Sequence, residues 1–352
     1  MNKDLNVFQG MDSIKDYLNP NKLSYLPLVE LPNVFNPFYD DGVRIFAKIM
    51  TFIGLHNVKA IPAYNMIAEK HKRGELKGVT NIVENSSGNT ISALAVVARQ
   101  FGIENIQAFV PDEVSWHKLL MLLFFGITPV VNQEPAAPDP TDPRSGVFKA
   151  RALGKQEGWI NPGQYDNQDN PKAHEKWIGG QIWEQTRGEI SVFCGGLGTT
   201  GTVIGNSIYL KKMNADIQVV GVMRAPNNYV PGPRTEKLLS LIGFDWQKHV
   251  DVVQDADTGS AYLKSMELSR RGIFTGPSSG LALVGLLKYL QDIKDRHEYN
   301  SLRRKNGEIV CVFICPDTPF PYLDEYFKYL DIINFPKIKN EEWLKNKPSK
   351  LP

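Results

Sequence analysis

A lysine becomes a nucleophile when it is taken out of water, because desolvation lowers its pKa and frees the neutral amine. The segment Asn57-Val58-Lys59 sets one among apolar neighbours, Val58 and Ile61, with Asn57 suited to cap the helix that follows. Such an amine can form a Schiff base with a carbonyl compound, yet most lysines at a helix start are solvated surface groups. Three further segments give Lys59 its meaning. Ser86-Ser87-Gly88-Asn89-Thr90 follows a strand-like run and opens a helix. Its residue types suit a capping turn, and the same hydroxyls and free N–H groups suit a carboxylate. Gly196-Leu197-Gly198-Thr199-Thr200-Gly201-Thr202 follows another strand and offers backbone N–H groups to a phosphate. Gly276-Pro277-Ser278-Ser279-Gly280 puts a neutral hydroxyl at the start of an amphipathic helix.

The third segment also satisfies G-x-G-x-x-G, the dinucleotide fingerprint. That fingerprint wants a carboxylate about twenty positions later, at the end of the next strand. The next strand ends instead in Met223-Arg224. Arg224 would suit a 2′-phosphate, but the other three segments would then be unexplained. One phosphate held by Gly198, Thr199, Thr200, Gly201 and Thr202 accounts for all four, and the cofactor that needs this set is pyridoxal 5′-phosphate.

From about residue 26 to residue 326 the chain resembles the cysteine synthase and cystathionine β-synthase family. The resemblance implies that Lys59 carries the cofactor, that Asn89 contacts its ring hydroxyl and that Ser278 bonds the pyridine nitrogen. Ser86, Ser87, Gly88 and Thr90 would hold the substrate's carboxylate. Gln164, at the head of a polar segment running to Asn170 and followed by His174-Glu175-Lys176, would assist them. A neutral serine cannot stabilise a pyridinium as a carboxylate does, which favours β-elimination over chemistry that needs a long-lived carbanion.

The implied activity is β-replacement: an O-activated serine, such as O-acetylserine, passes through an aminoacrylate that sulfide or another thiol captures. The partners are thus a small amino-acid substrate and a nucleophile, in a homodimer. Two alternatives stand beside it: a serine or threonine deaminating or isomerising pyridoxal-phosphate enzyme, and a catalytically weak binding subunit. The Gln164 segment favours the cysteine synthase side. The intact lysine, phosphate loop and Ser278 argue against a mere binding subunit. The chain also departs from the family pattern. His56 and Asn57 replace small residues before the lysine, Ala60-Ile61-Pro62 replaces an Asp-Arg pair after it, and Ile91 replaces a glycine. These mark a divergent branch. In the stretch from Ala225 to Arg234, Asn227 and Arg234 either admit a larger anionic partner or brace a loop.

The elements that position these segments follow from the apolar pattern. Strand-like runs at 81–84, 106–110, 129–131, 190–194, 217–222 and 309–314 alternate with amphipathic stretches at 64–73, 90–101, 174–186, 261–271 and 281–295. That alternation predicts an α/β fold of two domains with mainly parallel sheets flanked by helices. The expected division is an arm at 1–44, a smaller domain at 45–157 carrying the carboxylate turn, a larger one at 158–330 carrying the phosphate loop, and a tail at 331–352. The proline-rich stretch 132–144 reads as an exposed loop.

With 352 residues and a formal charge of +2, the chain has no basic patch for nucleic acid. Its longest apolar run, 119–131, is broken by Gly126, Thr128 and Pro129, which argues against a membrane span. The start, residues 1–6, lacks a leader pattern, and a cytoplasmic address is the expectation. Cys194, Cys311 and Cys315 read as small buried hydrophobes, and no histidine or second cysteine pair completes a metal site.

Overall fold

The computed structural model describes residues 6–133 and 137–344. The expected leader-free start (apart from Asn6), Pro135 of the proline-rich stretch and the last eight residues of the tail lie outside them. Among these residues ten strands form two sheets: β1 (Leu28–Glu30), β2 (Val43–Ile49), β3 (Asn81–Asn85), β4 (Asn105–Pro111), β5 (Ile127–Asn132), β6 (Trp159–Ile160), β7 (Ile190–Gly196), β8 (Gln218–Arg224), β9 (Val252–Ala256) and β10 (Ile309–Cys315). The larger sheet runs β1-β2-β10-β7-β8-β9 and the smaller β5-β4-β3-β6. Every pairing is parallel except β1 with β2. The expected α/β class with mainly parallel sheets is the fold observed.

All six expected strands are present, with no end displaced by more than two residues. Four others lack the uninterrupted apolar run of a doubly covered strand. β1 and β6 are three and two residues long. β9 lies at the sheet edge and alternates between more and less buried positions. β2 carries Arg44 and Lys48 among its apolar residues. β2 begins within the expected arm yet runs in the larger sheet, and β6 joins the smaller sheet from beyond residue 158.

The helix expected at 174–186 is three pieces: Asp169–His174, a wider π-helical turn at Glu175–Gly179, and Gly180–Gln185. It crosses the helix Gly201–Met213 so closely that a side chain at Gly205 would collide with the carbonyl of Pro171. This crossing holds the helix that follows the phosphate loop. The three cysteines are free and buried.

Lys48 explains how the N-terminal segment is fastened. Its side chain is fully buried, and Nζ donates to Leu26 O at 2.7 Å, Gln181 Oε1 at 2.8 Å and Gln185 Oε1 at 2.7 Å. An apolar replacement removes all three bonds; Leu26 O keeps the Gln185 amide and Gln181 Oε1 keeps the Leu26 N–H, while Gln185 Oε1 is left without a donor. Lys48→Met is expected to lower stability by about 1–3 kcal/mol, read as an earlier urea midpoint. An unchanged midpoint would mean that the three bonds contribute nothing net.

Candidate active site

In parallel α/β sheets the crevice beyond the carboxyl ends of the strands is where ligands fit. Here both sheets point such ends into one cleft of about 760 Å³, within the range of cofactor and substrate sites. Lys59, Ser86, Ser87, Gly88, Asn89, Thr90, Gln164, Gly198, Thr199, Thr200, Thr202 and Ser278 all line it. Of the residues expected at the site, only Gly201 stays off the wall, and a side chain there would strike the amide of Asn170.

Lys59 immediately precedes the helix Ala60–Lys72. Its backbone N–H donates to Asn57 Oδ1 at 3.0 Å, and Val58 N–H donates to Pro316 O at 2.7 Å. The lysine is therefore pinned to the chain leaving β10. Among the described residues its Nζ makes no hydrogen bond. Burial lowers its pKa to about 8, the charge of Asp317 pulling it up and that of Arg234 pushing it down.

The carboxylate turn lies between β3 and the helix Asn89–Arg99. Buried Glu84 shapes it from behind, accepting from the backbone N–H groups of Asn85, Gly163 and Gln164 at 2.9, 3.0 and 3.1 Å. Gln164 in turn accepts from the Thr90 hydroxyl at 2.8 Å and donates to Asn85 O at 3.0 Å. The junction segment and the turn are thus one hydrogen-bonded unit, with the hydroxyls of Ser86 and Ser87 on the cleft wall.

The phosphate loop leaves β7 and enters the helix Gly201–Met213 with Thr200 in the left-handed region, at φ 69°. A side chain at Gly198 would sit 2.7 Å from Gly232 O, so the loop is pressed against the returning chain. Among the described residues the N–H groups of Gly198, Thr199 and Thr200 have no acceptor, and first-turn N–H groups have none within the helix. His174 stands behind the loop, its Nε2 3.3 Å from Thr202 Oγ1. Burial and the nearby Lys59 push its pKa down to about 3, so the imidazole is neutral. Free N–H groups, a glycine cradle and an unpartnered lysine amine fit pyridoxal phosphate.

Ser278 lies in the first turn of the helix Pro277–Asp295, nearly buried, with its hydroxyl unengaged among the described residues. Asn89 reaches the cleft, but its amide nitrogen is held by Asp317 Oδ2 at 2.7 Å. Tyr322 donates to the same oxygen at 2.6 Å, and burial pushes the Asp317 pKa up to about 6. Sequence reasoning missed Asp317; the usable signal was its position just after the apolar run of β10.

It also missed the Lys118 group. From the helix Trp116–Phe124, Lys118 Nζ reaches Glu325 Oε1 at 2.8 Å and Tyr229 OH at 3.0 Å, while Tyr262 donates to Glu325 Oε2 at 2.6 Å. The ion pair is nearly buried and ties an element beside the smaller sheet to the helix Leu323–Tyr329.

Comparison with known proteins agrees with this geometry. The pyridoxal-phosphate dependent enzyme family model matches residues 23–300. Cysteine synthase B of Salmonella typhimurium is 31% identical over 290 residues, which is 82% of this chain and 89% of that protein. Cysteine synthase of Aquifex aeolicus is 31% identical over 302 residues, covering 84% and 88%. A cysteine synthase structure from Entamoeba histolytica shares the fold, with a TM-score of 0.73 at 24% identity over 89% of this chain and 90% of that one. With Lys59 and the loop 196–202 at the mouth of two mainly parallel sheets, the chain belongs to the pyridoxal-phosphate dependent enzymes and, among them, to the cysteine synthase family.

Proposed function

We propose that the chain catalyses β-replacement on an O-activated serine, with sulfide or another thiol as the incoming nucleophile. The observation that carries the reading is Lys59: an amine of lowered pKa without a hydrogen-bond partner, set between a carboxylate turn and a phosphate cradle. The relatives named as cysteine synthases support it, as does the solved O-acetylserine dependent cystathionine β-synthase of Helicobacter pylori among the structures of like fold.

In this reading Lys59 would carry the cofactor, and Gly198–Thr202 would hold its phosphate. Pyridoxal phosphate, when bound, supplies an electron sink for the pair released at the substrate's α-carbon. Ser86, Ser87 and Thr90, with the Gly88 backbone, bind the α-carboxylate, and Gln164 fixes the Thr90 hydroxyl. Lys59 would take the substrate's α-proton on its neutral Nζ. Ser278 would offer an uncharged hydroxyl to the cofactor ring's nitrogen, and Asn89 would face the ring hydroxyl. The Lys118–Glu325 pair helps hold the cleft against water.

The chain, built as two units, one around each sheet, pairs with a second copy as a homodimer in the cytoplasm. Exposed Phe52, Trp116, Phe124 and Phe320 favour association, and three buried free cysteines favour a reducing compartment.

Adding O-acetylserine to the holoenzyme without a nucleophile is expected to shift the cofactor's absorbance. Sulfide should then restore it and yield cysteine. If no β-substituted alanine moves the spectrum, the reading fails. Release of a keto acid and ammonia in place of a thioether or thiol product would favour a deaminating enzyme.

A further inference from the structure

Lys59, Asn89 and Ser278, which would surround the cofactor's ring, stand on three separate segments, and Asp317 touches all three. It follows β10 on the wall of the cleft. Its backbone forms an antiparallel bridge with Asn57, two residues before Lys59. Its carbonyl accepts from Gly276 N–H at 2.9 Å, two residues before Ser278. The side chain reaches the third segment: Oδ2 accepts from Asn89 Nδ2 at 2.7 Å and from the Tyr322 hydroxyl at 2.6 Å. Asn89 follows a strand of the smaller sheet and Asp317 a strand of the larger, so this bond ties one unit to the other.

The carboxylate is costly where it sits. It is buried, its Oδ1 has no hydrogen bond, and among the described residues no cation lies at ion-pair distance from it. A Cβ at Gly276 would come within 2.4 Å of Oδ1, so that oxygen faces the bare Cα of a glycine. All of its side-chain hydrogen bonding is therefore made through Oδ2. Burying a charge this way is unfavourable unless the site gains by it. What Oδ2 fixes is an amide. An ionised carboxylate only accepts, so the nitrogen of Asn89 is held on its side, and the flip that would exchange nitrogen and oxygen is closed. On the reading of Asn89 given above, we propose that Asp317 is a positioning residue: it locks the Asn89 amide in the orientation that meets the cofactor's ring hydroxyl, and so fixes how the ring lies between Lys59 and Ser278.

The test is a double-mutant cycle between Asp317 and Asn89, read on cofactor binding and not on turnover. Two quantities are measured. One is the pyridoxal phosphate concentration that half-saturates the apo-protein; the other is the circular dichroism of the bound cofactor's absorption band in the holoenzyme, which reports the setting of the ring. Asp317→Ala should raise the half-saturating concentration by about 5- to 30-fold and weaken the dichroic band. Asn89→Ala should do likewise, and Asp317→Ala added to it should raise the concentration by less than about twofold more. Asp317→Asn keeps an uncharged acceptor for Asn89 and Tyr322, and should fall between wild type and Asp317→Ala. If Asp317→Ala does not fold, Asp317→Ser, whose hydroxyl stops short of Asn89, takes its place in the cycle with the same expectation.

Neither quantity depends on which serine derivative is the substrate, so the result stands apart from the proposed β-replacement. Three outcomes would overturn the role of Asp317 while leaving Asn89 its own: Asn89→Ala moves both quantities and Asp317→Ala neither, the two effects multiply in the double variant, or Asp317→Asn is as impaired as Asp317→Ala. If Asn89→Ala itself moves nothing, the ring contact assigned to Asn89 falls and takes the proposal with it.

Discussion

Lys59→Ala is expected to lower turnover by about 10²–10⁴-fold and to remove the covalent tie to the cofactor. Borohydride reduction followed by peptide mapping should label the wild-type peptide that contains Lys59 and leave the variant unlabelled. Fold stability should hold, because Nζ of Lys59 has no hydrogen-bond partner among the described residues. Lys48 offers the contrast. It too is buried, but three acceptors surround its ammonium, so its removal costs stability. One buried lysine is satisfied by the protein; the other is left for a ligand. A label on Lys48, or turnover that survives the Lys59 change, would remove the basis of the proposed chemistry.

The difference between these two lysines also marks what could be read from the sequence. Lys59 was legible because its neighbours in sequence are its neighbours in space: Asn57 bonds its backbone, and the helix follows directly. The place of the loop 196–202 between a strand and a helix was legible for the same reason, since strand, glycines and helix are contiguous. Lys48 was opaque because its acceptors lie more than twenty to over a hundred residues away. The same holds for Asp317, joined to Asn89 across 228 positions, and for Glu325, joined to Lys118 across 207. Those pairs come from the meeting of the two sheets, which no local pattern encodes. The short edge strands were hidden differently: β1, β6 and β9 are not buried on both faces and carry no continuous apolar run. The carboxylate turn lies between these cases. Its residues were evident, whereas the support it receives from Glu84 through Gln164 appears only when β3 and the junction segment meet.

Reconstitution of the apo-protein should depend on pH in a way that reports the setting of Lys59. Only the neutral amine attacks the cofactor's aldehyde, so the rate follows the unprotonated fraction. With a pKa of about 8, that fraction falls about tenfold for each pH unit below the inflection. Capture should therefore be about ten times slower at pH 7 than on the plateau, and level off above about pH 9. A solvated lysine would still be gaining there. Stopped-flow absorbance on apo-protein mixed with pyridoxal phosphate measures this directly. The neighbours then fix the sign of two further shifts. Asp317 favours the charged amine, so Asp317→Asn should move the inflection to lower pH. Arg234 disfavours it, so Arg234→Gln should move the inflection to higher pH. Titration of the cofactor itself is common to all three proteins and cannot produce opposite shifts. Two shifts of the same sign, or a rate still rising steeply at pH 9.5, would mean that burial beside these two charges does not set the reactivity of Lys59.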